Sequence, residues 1–372
     1  MAHSYTPGLR VSKFTRITKE RRLPLRGSVM VKVGEKVSAR NIIARSELPG
    51  NVHPLNCCGQ LGILPADIQS ALVVKTGSEI KKDQLLAESS SFFGLFKSRV
   101  QSPIDGVLES ASPITGQLIL REPPIPVEVT AYIDGTITEV YPEEGVEIET
   151  TGAFIQGIFG IGGERYGEIH LAVTAADQVL EASSLKGDLK GKILIAGRRV
   201  TLDAYKKASE LGAVAIVAGG FENFDLKKLL GYEQGVAITG QEDIATTLIL
   251  TEGFGDIAMA ARTFDLLKAN EGRGASVSGA TQIRAGVIRP EVIIPMVGVG
   301  TVTDGNPKAG LLETGDIVRV IREPYFGKLV KVTALPHELQ ELESGAKVRV
   351  LEADLNGKTV ILPRANVEMI EE

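Results

Sequence analysis

Tryptophan is absent from these 372 residues, and aromatic side chains make up only 5% of them. Broad platforms for stacking nucleic-acid bases are therefore not the expected chemistry. The two cysteines, Cys57 and Cys58, are adjacent, which excludes a disulfide framework, and no CxxC or HxxxH pair offers ligands to a metal. We read them as apolar, buried thiols. His3, His53, His170 and His337 stand singly along the chain, so neither zinc nor any other cofactor is expected. No apolar run approaches the roughly 20 residues that cross a bilayer, and MAHSYTPGLRVSK lacks a hydrophobic leader. The expectation is a cytoplasmic protein without membrane insertion.

What is present is a globular composition, with 43% hydrophobic and 23% charged residues and a length that suits more than one domain at roughly 100–200 residues each. Glycine, valine, isoleucine and leucine are plentiful, which favours strands and tight turns. One phrase is written twice: VKVGEKVSARNIIA, Val31 to Ala44, aligns without a gap to VKTGSEIKKDQLLA, Val74 to Ala87. Each copy reads as a hairpin turning at Gly34 or Gly77, because glycine reaches positive φ freely. A lone hairpin cannot bury its apolar face, so two copies imply hairpins packed together. A second echo, SPIDGVLES (102–110) and YIDGTITEV (132–140), places Ile-Asp-Gly turns in register, and 142–148 repeats the Gly-turn-Val phrase again.

The order V-x-x-G-x-x-V, LLA, then SP-x-DG-V resembles the biotinyl/lipoyl-type barrel-sandwich hybrid over roughly Leu25 to Ile155. That resemblance implies interlocked hairpins in a flattened β-barrel, used elsewhere as a swinging carrier, an adaptor or a spacer. Carriers place a modified lysine on the tip hairpin three residues after an acidic one. After Glu88 that position is Ser91, and Lys97 is the nearest lysine beyond it, so covalent biotin or lipoate is not expected. Phe92, Phe93, Leu95 and Phe96 at the tip form either a partner-binding knob or, in the reading we favour, a contact with a neighbouring domain.

Ahead of this barrel Arg10, Lys13, Arg16, Lys19, Arg21, Arg22 and Arg26 face a single Glu20. This basic arm could engage phosphate, but with a net charge of −5 we rank it as a solvated segment. In GIFGIGGERYGEIHLAV (157–173) the glycines match neither G-x-G-x-x-G nor a P-loop, and a bend where backbones approach closely is the simpler account.

From Lys186 the pattern changes to strand–helix alternation. KILIAG (192–197), AVAIVAGG (213–220) and TTLILTEG (246–253) read as strands; TLDAYKKASELG (201–212), capped by Thr201, NFDLKKLLG and 256–270 read as helices. The strands are expected to pair in parallel. Loops at their carboxyl ends, where open α/β sheets bind ligands, make Arg198, Arg199, Gly219, Gly220, Glu252 and Gly253 a candidate anion site. TLILTEGFGDIAMA resembles the glutamate strand of TOPRIM domains, yet no Asp-x-Asp follows to complete a magnesium site, and the segment is also similar to swivelling and protease-associated modules. No Ser/His/Asp or Cys/His set has supporting motif context.

The last segment, LLETGDIVRVIREPYFGKLVKV (311–332) with AKVRVLEADLNGKTVILPRANVEMIE, resembles a KOW motif in an SH3-like barrel, with Pro324, Tyr325, Phe326 and Gly327 turning the chain and offered for partner binding. Such domains contact RNA or protein. The glycine usual shortly after Gly327 is Val330 here, and from Leu311 onward eight Lys/Arg face eleven Asp/Glu, which makes a protein partner the stronger expectation.

The expected architecture is thus multidomain and mostly β with a central α/β module: a basic arm (1–24), a barrel-sandwich-hybrid-like domain with a Gly-rich extension (25–185), an α/β domain (186–289), a linker (290–310) and an SH3-like barrel (311–372). The expected function is a non-enzymatic adaptor binding other proteins. Two alternatives stay open, a transcription- or translation-associated factor using the KOW barrel and basic arm on nucleic acid, and an anion- or nucleotide-binding enzyme centred on the α/β domain.

Overall fold

The structure, a computed structural model, describes residues 9–91, 96–231, 244–281, 288–296, 312–320, 325, 328–341, 347–355 and 357–371. The protein is mostly β. Four strands come first, β1 (Leu9–Arg22), β2 (Ser28–Val29), β3 (Lys36–Val37) and β4 (Ile42–Leu48). Next are β5 (Val52–Asn56), β6 (Glu79–Ile80), β7 (Leu85–Ser91), β8 (Phe96–Gln101), β9 (Gly106–Ala111) and β10 (Gln117–Arg121), with the short helices α1 (Cys57–Leu61) and α2 (Ile68–Ala71) between β5 and β6. Then follow β11 (Ile125–Thr130), β12 (Gly135–Tyr141) and β13 (Gly145–Gln156).

These thirteen strands form two units with one plan. In one, a four-stranded sheet runs β5-β10-β9-β6 beside a β7/β8 ribbon. In the other, β1 pairs with β13, β13 with β12 and β12 with β3, beside a β4/β11 ribbon. The registers coincide: Leu48 faces Ile125 and Ala44 faces Val129, as Ser91 faces Phe96 and Ala87 faces Val100. The repeated aspartates do the same work, since Asp134 Oδ1 accepts from Ala39 N at 2.7 Å and Asp105 Oδ1 from Lys82 N at 2.9 Å. Even the ribbon ion pair recurs with its charges exchanged, Arg45–Glu128 at 2.8 Å and Arg99–Glu88 at 3.0 Å.

The two ends of each repeated phrase do meet, with Met30 N donating to Ile43 O at 2.8 Å and Val73 N to Leu86 O at 2.9 Å, but the chain between them is not a tight hairpin about the glycine, which corrects the expectation. The residues just after the glycine pair with the strand that follows Ile-Asp-Gly, Val37 with Gly135 and Ile80 with Gly106, while the end of the phrase enters the ribbon. A second tight turn, closed by Asn41 N on Ser38 O at 2.9 Å and Gln84 N on Lys81 O at 3.0 Å, carries the chain from one sheet to the other. Gly34 and Gly77 do adopt positive φ, 84° and 87°, which side chains with a Cβ rarely tolerate.

The units are nested. β7 and β8 are separated in sequence by residues 92–95, whereas β4 and β11 are separated by 49–124, which contain the whole second unit. We call residues 9–48 with 125–156 the outer unit and residues 52–121 the nested unit. The basic arm expected at 1–24 is, over Leu9–Arg22, the 14-residue strand β1 of the outer sheet.

The centre of the chain holds β14 (Phe159–Ile161), β15 (Glu164–Leu171), β16 (Val179–Leu180), β17 (Lys192–Ile195), β18 (Arg199–Val200), β19 (Ala215–Phe221), β20 (Thr247–Phe254), β21 (Gly274–Ser278) and β22 (Glu291–Pro295), with helices α3 (Leu202–Glu210), α4 (Asn223–Leu230) and α5 (Ala261–Lys268). β15, β17, β19 and β20 pair in parallel. β20 also pairs with β14, β15 with β21, β21 with β22, and β22 with β13, which leads directly into β14, so the pairings close on themselves. β22 lies where a linker was expected at 290–310; its core-facing Val292, Ile293 and Ile294 are fully buried. The glycine-rich bend serves this closure: a Cβ on Gly160 would come within 2.8 Å of Gly279 O, and one on Gly279 within 2.3 Å of Ile161 O.

β13 joins the two parts by alternation. Ala153 and Ile155 enter the central core while Phe154, on the opposite face, enters the outer unit's core with Ile293 of β22. A final β-unit comprises β23 (Ile317–Val320), β24 (Leu329–Ala334), β25 (Leu339–Glu341), β26 (Lys347–Leu355), β27 (Lys358–Pro363) and β28 (Val367–Glu371) around its own core. Val330, where glycine was expected, is 2% exposed in that core, which accounts for a bulky residue there.

Candidate functional site

Parallel strands bring β17, β19 and β20 to a common carboxyl edge, and all six residues of the expected anion site meet there. Arg199 pairs with Gly220 across β18 and β19, Gly220 with Gly253 across β19 and β20, and Gly219 N donates to Gly197 O at 2.9 Å. The edge is filled from within the chain. A Cβ on Gly219 would lie 2.4 Å from Ile257 O and one on Gly220 2.1 Å from Gly255 O, because the segment from Gly255 to Met259 folds down onto the strand ends. Here two glycines make room for backbone, where ligand-binding sheets leave a crevice.

That segment also changes α5. The helix expected from 256 starts at Ala261, and the intervening residues cover the edge. Asp256 Oδ1 takes Arg198 Nε at 2.8 Å and lies 3.8 Å from Arg199 Nε, while Arg199 NH1 donates to Glu222 Oε1 at 3.2 Å. Two cations thus face two carboxylates. An incoming anion therefore meets arginines whose charge internal carboxylates already face.

Glu252 is 6% exposed and is held from two sides. Its Oε1 accepts from Ala260 N at 3.0 Å, shaping the loop before α5, and its Oε2 accepts from Arg319 of β23. Arg319 is itself 7% exposed. A buried ion pair of this kind offsets its own desolvation at best, but removing one partner strands a charge and costs about 3–5 kcal/mol. The C-terminal β-unit is therefore fastened to the sheet edge by the carboxylate that looked most like chemistry.

The basic residues of β1 are spent similarly. Arg21 makes a bidentate pair with Glu164 at 2.6 and 2.7 Å and also donates to Thr130 O, Lys19 reaches Glu291 at 2.6 Å, and Arg22 reaches Glu20 and Glu144 at 3.1 and 2.9 Å. Glu291 accepts in addition from Tyr132 OH at 3.2 Å. Tyr132 is 4% exposed, and burial pushes its phenol well above the ordinary value, helped by Glu291. This network, which sequence reading did not single out, ties the outer unit to β15 and β22. Its one local signal was the run of basic residues in β1.

The expected partner-binding residues fare differently. Phe92 and Phe93 lie outside the described residues, as do Pro324, Phe326 and Gly327; Phe96 belongs to β8, but its side chain is outside them too. Tyr325 packs against the C-terminal core. Cys57 and Cys58 are free and buried, and desolvation pushes the Cys57 thiol up to about 11. No helix among the described residues is long and apolar enough to cross a membrane. No family model matches the chain, and no curated protein matches it significantly.

Proposed function

We propose that this chain is a non-enzymatic adaptor that presents protein-binding surfaces on docked β-modules in the cytoplasm: two barrel-sandwich hybrids, one nested in the other, a central α/β ring, and a C-terminal SH3-like barrel of the KOW kind. The matched registers of the two units support the first assignment, because a four-stranded sheet with an interlocked ribbon is the arrangement those hairpins build. The observation that carries the functional reading is the Glu252–Arg319 pair. It joins a strand of the ring to a strand of the last barrel at the very edge where an α/β enzyme would hold its ligand. Charged groups here fasten modules to each other, and the surfaces of those modules remain to supply the biology.

The pairing of β1 with Glu144, Glu149, Glu164 and Glu291 favours protein over nucleic acid as the partner, since Arg16, Lys19, Arg21 and Arg22 already face carboxylates. Capture of the tagged chain from its own cells, with and without nuclease, tests this. The adaptor reading expects stoichiometric proteins that persist after nuclease and at raised salt. Stoichiometric RNA or DNA lost steeply with salt would replace it with the nucleic-acid reading.

A further inference from the structure

The nested unit keeps its core to itself. Among the described residues its buried cluster runs from Cys57 to Leu120 and draws on α1, α2 and its own strands alone, whereas the outer unit's cluster takes in Ile293 from β22. Where the outer unit passes from β1 to β2 in a short loop, the nested unit inserts α1 and α2, and these put Cys57, Cys58, Leu61, Ile68 and Ala71 over its barrel end. Asn56 caps α1 by accepting from Gly59 N at 2.9 Å, and Gly62 ends it at φ 69°. The unit has been given a lid of its own.

Its connection to the rest is correspondingly thin. The β5/β10 ladder ends at Val52–Arg121, and the β4/β11 ladder begins at Leu48–Ile125. Between them run Pro49-Gly50-Asn51 and Glu122-Pro123-Pro124, whose prolines lack the N–H groups that would continue a ladder. A clasp bridges the gap: Glu122 N donates to Asn51 O at 3.0 Å, Asn51 Nδ2 to Glu122 Oε2 at 2.7 Å, and His53 Nε2 lies 2.8 Å from Glu122 Oε1. Arg121 NH1 adds a bond to Gly50 O at 3.1 Å.

We propose that residues 52–121 form an independently closed head that pivots on this two-stranded neck, with the Asn51–Glu122–His53 clasp setting its resting angle. The inference stands whether or not the head is the part that binds a partner. It explains why the insertion is tolerated in the ribbon at all: a unit that satisfies its own core asks nothing of its host except two closely spaced ends.

The full-length chain carries its own reporter, because its two cysteines both lie in the head's core. Thiol labelling in the native state measures head opening. Leu120→Ala removes a fully buried head residue, and Ile148→Ala removes the residue at the same place in the outer sheet. Leu120→Ala is expected to speed labelling on the order of 100-fold, while Ile148→Ala, or Ile148→Val should the alanine variant fail to fold, leaves the rate within about two-fold. Equal acceleration by the outer-unit variant overturns an independent head. For the pivot, backbone ¹⁵N relaxation in the same chain is expected to give head amides a shorter apparent tumbling time than amides of β13 and β22, with the gap widening in Glu122→Ala. One common tumbling time in both proteins overturns it.

Discussion

The outer and nested units share a hydrogen-bonding plan down to the same aspartate, yet they exclude water from their cores in opposite ways. The outer unit leans on its neighbour: β13 runs on into the central ring, and Phe154 and Ile293 complete the core. Among the described residues the nested unit's core takes in no such neighbour, and it carries α1 and α2 instead. Identical turns and registers therefore specify a topology without specifying how it is stabilised. What surrounds the unit decides that.

The comparison can be broken first at the lid. Leu61→Ala should lower the stability of the nested unit by about 2–5 kcal/mol, read as a shifted denaturation midpoint for thiol labelling, and the outer unit should not notice. The support on the other side is Glu291, which serves Lys19 and Tyr132 together. Glu291→Ala leaves both without that acceptor and should cost the outer unit about 1–3 kcal/mol, measured by hydrogen exchange in β1 and β13, with the nested unit unchanged.

Alkaline pH should also tell the units apart. An unfolded cysteine ionises near pH 8.5, but burial holds Cys57 neutral up to about 11. The stability this thiol contributes is therefore complete below about 8.5 and is lost as the pH rises through about 11. Urea midpoints for the nested unit should fall across that window, and a Cys57→Ala variant should lose this component of the fall.

Smaller effects sharpen the parallel. Asp105→Ala and Asp134→Ala each delete an equivalent bond to a backbone N–H, so each should cost about 1 kcal/mol; a much larger loss at one site would mean that the two turns are not equivalent in solution. Least of all should be Arg45→Ala and Arg99→Ala, whose exposed ribbon pairs are worth under about 1 kcal/mol.

Much of this plan was legible in the residues. The duplicated phrase marked both glycine turns, the Ile-Asp-Gly echo marked the strands that answer them, and the period change near Lys186 marked the parallel strands. Pairing partners were not legible, because Val37 and Gly135 lie in separate phrases and nothing local says that they meet. β1 was read as a solvated arm since a charge run near a terminus in a net-acidic chain is usually solvated; its carboxylate partners come from β13, β15, β22 and the loop before β13. β22 escaped notice as a five-residue strand in glycine- and proline-rich surroundings. At the sheet edge, sequence put Arg198, Arg199 and Glu252 at neighbouring strand ends, but the loop that covers the arginines and the distant Arg319 that engages Glu252 become visible only in three dimensions.

Cross-strand nuclear Overhauser contacts in the two ribbons test the duplicated, nested plan most directly. The account predicts that Ala87 meets Val100 just as Ala44 meets Val129, and that Leu48 meets Ile125 across the base of the insertion. Finding Ala44 and Leu48 without contacts to Val129 and Ile125, or the two ribbons in different registers, would contradict it.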